Sequence, residues 1–123
     1  MGRTSLHGLR MLIVEDEAMV AMLVEDMLSD LGCEVVDIVA SVEQGLLLLA
    51  TTGNGIEAAI LDVNLGGEKV FPIADALVKL GIPFVFATGY GRAGIEPRFS
   101  DRLVLAKPFG QAAVAALLTE AVT

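Results

Sequence analysis

The sequence predicts a doubly wound α/β domain, with a five-stranded parallel sheet covered by helices on both faces. Two observations predict it. Short β-branched runs alternate with stretches of helical period along the chain, and glycine or proline punctuates the junctions between them. No repeat, low-complexity segment or long linker divides the 123 residues. Strands that alternate with helices pair in parallel, because parallel neighbours need crossover connections, and these are right-handed. A chain of this length fits one domain and can bury a substantial core.

The elements follow in order. Residues 1–8, "MGRTSLHG", precede the domain, which spans 9–123. "LRMLIV" (9–14) is the first strand; Val20, Leu23, Val24, Met27, Leu28 and Leu31 then recur at three- and four-residue steps, the apolar stripe of a helix that stops at Gly32. "EVVDIVA" (34–40) is the second strand, with Ser41 placed to cap a helix and Gln44 three residues on, as in a capping box. The leucine run 46–49 continues that helix, which breaks around Gly53 and Gly55. "EAAILDV" (57–63) is the third strand, followed by a Gly66–Gly67 turn. Pro72 suits the first turn of a third helix carrying Ile73, Leu77, Val78 and Leu80 and closed by Gly81. "PFVFAT" (83–88) is the fourth strand. "GYGRAGIEPRFSD" (89–101) lacks helical period and contains three glycines and a proline, so it reads as a loop or at most a turn of helix. "RLVLA" (102–106) is the fifth strand, and "GQAAVAALLTEAV" (110–122) is a last helix with Val114, Leu117, Leu118 and Ala121 on one face.

Composition narrows the function. Hydrophobic residues make up 54 % of the chain, yet no apolar run approaches the ~20 residues that a membrane-spanning helix needs. The net charge is −8 and the eight Lys and Arg residues form no basic stripe, which argues against a grip on a nucleic-acid backbone. Cys33, the only cysteine, excludes an internal disulfide and a multi-cysteine zinc site and fits a reducing compartment. The N-terminal residues show no apolar stretch of a signal peptide, so a cytoplasmic location is expected.

In a doubly wound fold, ligands sit outside the carboxyl ends of the strands. At those ends lie Glu15 and Asp16 after the first strand, Asp62 at the end of the third, Thr88 at the end of the fourth and Lys107 after the fifth. Glu15, Asp16 and Asp62 in a partly dehydrated cleft would repel one another and raise each other's pKa unless a cation joined them. An oxygen-only site of this kind favours Mg²⁺, or Mn²⁺, over zinc. The ion in turn favours a phosphoryl group, for which Lys107 offers a fixed positive charge and Thr88 a hydroxyl donor. Asp62 becomes the nucleophile.

The ordered set "VEDE", "LDVN", "FATG" and "LAKPF" resembles the receiver domain of bacterial two-component response regulators, over residues 9–123. It is also similar to a subgroup of stand-alone receivers that carry "FATG" followed by an aromatic-containing loop and are found with kinases of the HWE type, mostly in alphaproteobacteria. The resemblance implies a flavodoxin-like strand order, 2-1-3-4-5. It implies that Asp62 is the phosphoacceptor, that Asp16 ligates Mg²⁺ directly and Glu15 mainly through water, and that Asn64 gives its backbone carbonyl to the metal. Thr88 and Lys107 would hold the phosphoryl oxygens, and the Lys107–Pro108 bond would be cis, aiming the lysine at the site. The donor would be a histidine kinase, and output would pass through protein contacts, to a downstream protein or a phosphotransfer partner, with no nucleic acid and no membrane involved.

Two departures from the family pattern stand out. The residue three before the lysine, an aromatic switch in typical receivers, is Val104, and the helix that usually lies between the threonine and the lysine is shortened or replaced by a loop. The reading is therefore that phosphorylation orders residues 89–101 around Thr88, with Tyr90 as substitute aromatic. A phosphorylation-independent binding module of the same fold is the alternative. A phosphatase acting on small molecules is disfavoured, because Asn64 stands where the haloacid-dehalogenase pattern wants a second Asp and 123 residues leave no room for a cap domain over a substrate. Glu17 reads as a helix N-terminal acid, His7 as a residue without a functional role, and Met19 and Met22 as off-stripe residues able to contact a partner.

Overall fold

A computed structural model describes residues 5–52 and 55–123. In chain order the elements are β1 (Arg10–Val14), α1 (Ala18–Asp30), β2 (Glu34–Val39), α2 (Val42–Thr52), β3 (Ala58–Asp62), β4 (Asn64–Leu65), β5 (Glu68–Lys69), α3 (Phe71–Leu80), β6 (Phe84–Thr88), β7 (Val104–Ala106) and α4 (Gln111–Val122). The main sheet is parallel throughout, in the order β2-β1-β3-β6-β7. With β6 and β7 as the fourth and fifth predicted strands, this is the expected order 2-1-3-4-5.

The two central strands, β3 and β6, are buried at every residue, which is why "AAILD" and "FVFAT" read as continuous runs without polar alternation. Successive side chains on each strand point to opposite faces. Met11 and Ile13 of β1, with Val85 and Ala87 of β6, pack with Val24 and Leu28 of α1 and Val114 and Leu118 of α4. Leu12 and Val14, with Phe84 and Phe86, pack instead with Leu49 of α2 and Phe71, Ile73 and Leu77 of α3. Gly45 lets α2 and α3 approach closely: a Cβ at that position would lie 2.4 Å from Ile73 Cδ1.

Helix boundaries follow the local chemistry. Ser41 Oγ accepts from the Gln44 N–H at 3.1 Å, while Gln44 Oε1 accepts from the Ala40 N–H at 2.8 Å, so the capping-box pair forms with its return bond one residue earlier than the usual pattern. The break expected around Gly53 lies outside the described residues. Pro72 occupies the first turn of α3, and Gly81 ends it at φ 71°, the left-handed conformation that glycine adopts without a steric penalty.

The apolar stripes expected for two helices need correction. Leu23, Val78 and Leu80 fit the helical period but are 58, 46 and 47 % exposed. The buried side of α1 is the narrower line Ala21, Val24 and Leu28, and that of α3 begins earlier, at Phe71, Ile73, Ala74 and Leu77. Met19 and Met22 are exposed, as their positions off the stripe imply. Before β1, the Gly8 N–H donates to Gly32 O at 2.7 Å, and Leu6 packs against the core beside Cys33.

Residues 89–101 form no α-helix. They make two short 3₁₀ turns, Gly91–Gly94 and Pro97–Phe99. Phe99 is buried, its ring 5.7 Å from Phe71, 6.1 Å from Phe84 and 5.6 Å from Phe86. Arg98 donates two hydrogen bonds to the Asp75 carboxylate on α3, and Arg92 Nη1 donates to the carbonyls of Ser100 and Arg102. The expectation of a segment that becomes ordered only on phosphorylation is revised accordingly: its second half is already packed in the core through Phe99.

Candidate functional site

The site forms where β1, β3, β6 and β7 end. Among the described residues, the buried polar or charged side chains are Glu15, Asp62 and Thr88, all from this rim. Glu15 follows β1, Asp62 ends β3 opposite Ala87, and Thr88 ends β6 opposite Ala106. Lys107, directly after β7, extends that pairing: its N–H donates to Thr88 O at 2.9 Å. The Lys107–Pro108 bond is cis.

Carboxylate oxygens of Glu15, Asp16 and Asp62 all lie within 4.8 Å of one another, with Asp16 exposed and the other two buried. Lys107 Nζ stands 3.2 Å from Glu15 Oε1 and 3.2 Å from Asp62 Oδ1. Burial pushes the Glu15 carboxyl up to about 7; the Glu17 N–H on Glu15 Oε2 at 3.2 Å and the Lys107 ammonium resist that rise, while the Asp62 carboxylate adds to it. For Lys107, burial favours the neutral amine, but the Asp62 and Glu15 carboxylates outweigh it and hold the pKa above its ordinary value. Lys107 thus pairs with two of three clustered carboxylates, Glu15 and Asp62. That donor set, all hard oxygen with surplus negative charge, suits Mg²⁺ or Mn²⁺.

Thr88 Oγ1 accepts from the Tyr90 N–H at 3.1 Å, while the Tyr90 side chain is 73 % exposed. The fold therefore brings Glu15, Asp16, Asp62, Thr88 and Lys107 together and leaves the Tyr90 ring outside. Pro108 lines an apolar groove with Lys107, Phe109 and Val20, Leu23, Val24 and Met27 of α1. Glu17 stands at the N-cap of α1 without a side-chain capping bond.

Sequence reasoning missed a feature beside this cluster. β4 and β5 make an antiparallel hairpin, with Asn64 paired to Lys69 and Leu65 to Glu68. Gly66 and Gly67 turn it at φ 57° and 97°. Leu65 is buried, so Asn64 and Lys69 share the other face, where Lys69 Nζ donates to Asn64 Oδ1. A two-residue Gly-Gly loop is a hairpin signal, and it sets Asn64 opposite Lys69; the signal was present in "NLGGEK".

No protein-family model matches the chain, and no curated protein matches it significantly. Solved structures do. The chain is similar to SdrG from Sphingomonas melonis Fr1, at 46 % identity over 94 % of this chain and 98 % of that one, with a TM-score of 0.82. The BeF₃-activated conformation of SdrG from Pseudomonas melonis Fr1 is 47 % identical, over 98 % of this chain and 100 % of that one, with a TM-score of 0.77. The response regulator PhyR from Brucella abortus is 27 % identical over 97 % of this chain, with a TM-score of 0.81; the match spans 49 % of PhyR, about half its length. With near-complete coverage of both chains at 46 % identity, the chain belongs to the receiver-domain family of response regulators.

Proposed function

We propose that residues 9–123 act in the cytoplasm as a phospho-accepting receiver, with Asp62 taking a phosphoryl group from a histidine kinase, of the HWE type to judge by the "FATG" stretch. The observation that carries this reading is the Lys107 ammonium 3.2 Å from both Asp62 and Glu15, beside a third carboxylate. The BeF₃-activated state of SdrG supports it, because beryllofluoride imitates a phosphoryl group on an aspartate.

In the transfer, an Asp62 carboxylate oxygen forms a bond to phosphorus as the bond from phosphorus to the donor's imidazole nitrogen breaks. The imidazole leaves with the electron pair and takes up a proton. Glu15, Asp16, Asp62 and the Asn64 carbonyl would hold Mg²⁺, which when bound neutralises negative charge on the transferring group and on the carboxylates. Lys107 and the Thr88 hydroxyl bind phosphoryl oxygens. The same residues assist the later loss of the phosphoryl group to water, so the protein promotes its own phosphorylation and dephosphorylation.

The Thr88 hydroxyl can donate its proton to a phosphoryl oxygen while a lone pair still accepts from the Tyr90 N–H, so a shift of the hydroxyl towards the phosphoryl group is felt first at the Tyr90 backbone. The expected switch is therefore confined to the residues next to Thr88, about 89–95, and passes to a downstream or phosphotransfer partner through contact. Amide hydrogen exchange with and without beryllofluoride should change at Tyr90 and its neighbours and stay constant at Phe99. Equal exchange at Tyr90 in both states would remove this switch.

The test of the reading itself is intact mass after incubation with acetyl phosphate, with and without Mg²⁺. A Mg²⁺-dependent gain of one phosphoryl group that Asp62→Asn abolishes is the expected result. No gain, or a gain that survives Asp62→Asn, overturns it.

A pH dependence follows from Glu15. Its carboxyl titrates at about 7 in the fold against an ordinary value of 4.5, so the folded state binds more protons than the unfolded one between those values. Stability of the metal-free protein should consequently fall as pH rises from about 4.5 to about 7. Mg²⁺ competes with that proton, so its affinity should rise with pH through about 7. Urea unfolding in chelator and Mg²⁺ titration across this range would check both, and a flat profile in each would rule out the assignment to Glu15.

A further inference from the structure

The hairpin stands at the mouth of the acidic cluster. A Cβ at Gly66 would lie 3.6 Å from Asp16 Oδ2, which sets the turn against the outermost carboxylate. On the other side the hairpin borders a cavity of about 410 Å³, lined by Asn64, Lys69, Thr88, Tyr90 and Gly94 among others. This cavity starts at the residues that directly follow Asp62 and reaches the Thr88 side chain.

Charge at this mouth is unbalanced. A phosphodonor approaching Asp62 brings a phosphoryl dianion towards three carboxylates on a chain of net charge −8. Lys107 already has Glu15 and Asp62 as partners. Lys69 differs: it is exposed and lines the cavity, its hydrogen-bond partner is the neutral Asn64 amide oxygen, and among the described residues no carboxylate lies within ion-pair distance of it. Its neighbour Glu68 faces the other way, with Oε1 accepting from the Val42 N–H at 3.4 Å. The hairpin register, fixed by the Gly66–Gly67 turn and by the Val70 N–H donating to Val63 O at 3.0 Å, keeps the ammonium on the cavity side.

We propose that Lys69 is a donor-binding residue, which draws in and holds the phosphoryl dianion of the incoming donor at the mouth of the site before transfer to Asp62. The inference rests on Asp62 being the phosphoacceptor. It concerns capture, not chemistry: Lys69 acts on the approach of any phosphoryl dianion, oxygen-linked as in acetyl phosphate or nitrogen-linked as in phosphoramidate, and the transfer step stays with Asp62, Thr88 and Lys107. A charge at the rim of a binding site acts mainly on the association rate and its dependence on salt.

The experiment is the rate of Asp62 phosphorylation against acetyl phosphate and phosphoramidate concentration, in Mg²⁺ at constant ionic strength, for the wild type, Lys69→Met, Lys69→Glu and Lys69→Arg. Lys69→Met should raise the half-saturating concentration of both donors roughly three- to tenfold with the maximal rate unchanged. Lys69→Glu should raise it further, and Lys69→Arg should stay within about twofold of the wild type because the charge is kept. The salt dependence of the low-concentration rate should be shallower in Lys69→Met. An unchanged half-saturation in Lys69→Met, with the wild type modified at Asp62, overturns the role of Lys69 and leaves the receiver reading intact. A lower maximal rate at unchanged half-saturation also overturns it, since the lysine would then act on the transfer step. A wild type that takes no phosphoryl group from either donor overturns the receiver reading, and this inference with it.

Discussion

Phe99→Ala is expected to destabilise the protein by about 3–5 kcal/mol, the usual cost of removing a buried phenylalanine from a packed core. A domain of ordinary stability has roughly 5–15 kcal/mol in total, so this is a large share of it. The ring is stacked on Phe71 at an interplanar angle of 13° and meets Phe84 and Phe86 edge-on, and the Arg98 guanidinium covers it 4.7 Å from its centroid. The cavity left by alanine would open between α3 and β6, under a segment with no α-helix of its own to close it. Tyr90→Ala, nine residues earlier, exchanges a 73 % exposed side chain and should stay within about 0.5 kcal/mol of the wild type. Urea unfolding of the two variants checks the contrast. Equal midpoints would mean that Phe99 does not anchor the segment.

Lys107→Met is expected to slow phosphorylation from acetyl phosphate by on the order of a hundredfold, the scale seen when one preorganised donor to a developing anion is removed. Methionine keeps much of the apolar stem and removes the ammonium, so the effect reports the charge. The same substitution should push the Glu15 carboxyl above about 7, because a cation that holds the pKa down is gone while burial and Asp62 remain. Losing the ammonium also removes a cation that repels Mg²⁺ and occupies Glu15 and Asp62, and a divalent ion gains more from this than a proton does, so the slowing should persist at saturating Mg²⁺. A phosphorylation rate within about threefold of the wild type would exclude Lys107 from the transfer step.

Much of this site was legible in the sequence because its residues follow strand ends, and the strands were legible as apolar runs. Asp62 and Thr88 close "AAILD" and "FVFAT", both buried along their length, so neither strand could be shifted without moving its polar end out of register. Phe99 was hidden by its surroundings: in "GIEPRFSD" it has no periodic partner, and its burial comes from Phe71, Phe84 and Phe86, distant in sequence. Leu23, Val78 and Leu80 misled for the opposite reason. They fit a helical period, but the width of the stripe a helix buries is set by what packs against it, which periodicity does not carry. Lys69 is less legible, because a glycine pair announces a turn whereas the residues it sets opposite each other follow only from the hairpin register.

The shortness of β7 has a consequence for tolerance. Three residues, Val104, Leu105 and Ala106, pair with Phe86, Ala87 and Thr88, and Lys107 depends on that alignment for its position. Sliding β7 along β6 by one residue would carry the lysine about 3.3 Å along the strand and turn its side chain to the opposite face. Its ammonium would then lose the distance of 3.2 Å to both carboxylates. Leu105, buried between the layers, is the residue that resists the slide, since a shift would send it towards the other face. One leucine in a three-residue strand therefore works as the locating pin for a charge two positions away, and the precision of the site is that of the strand's seating.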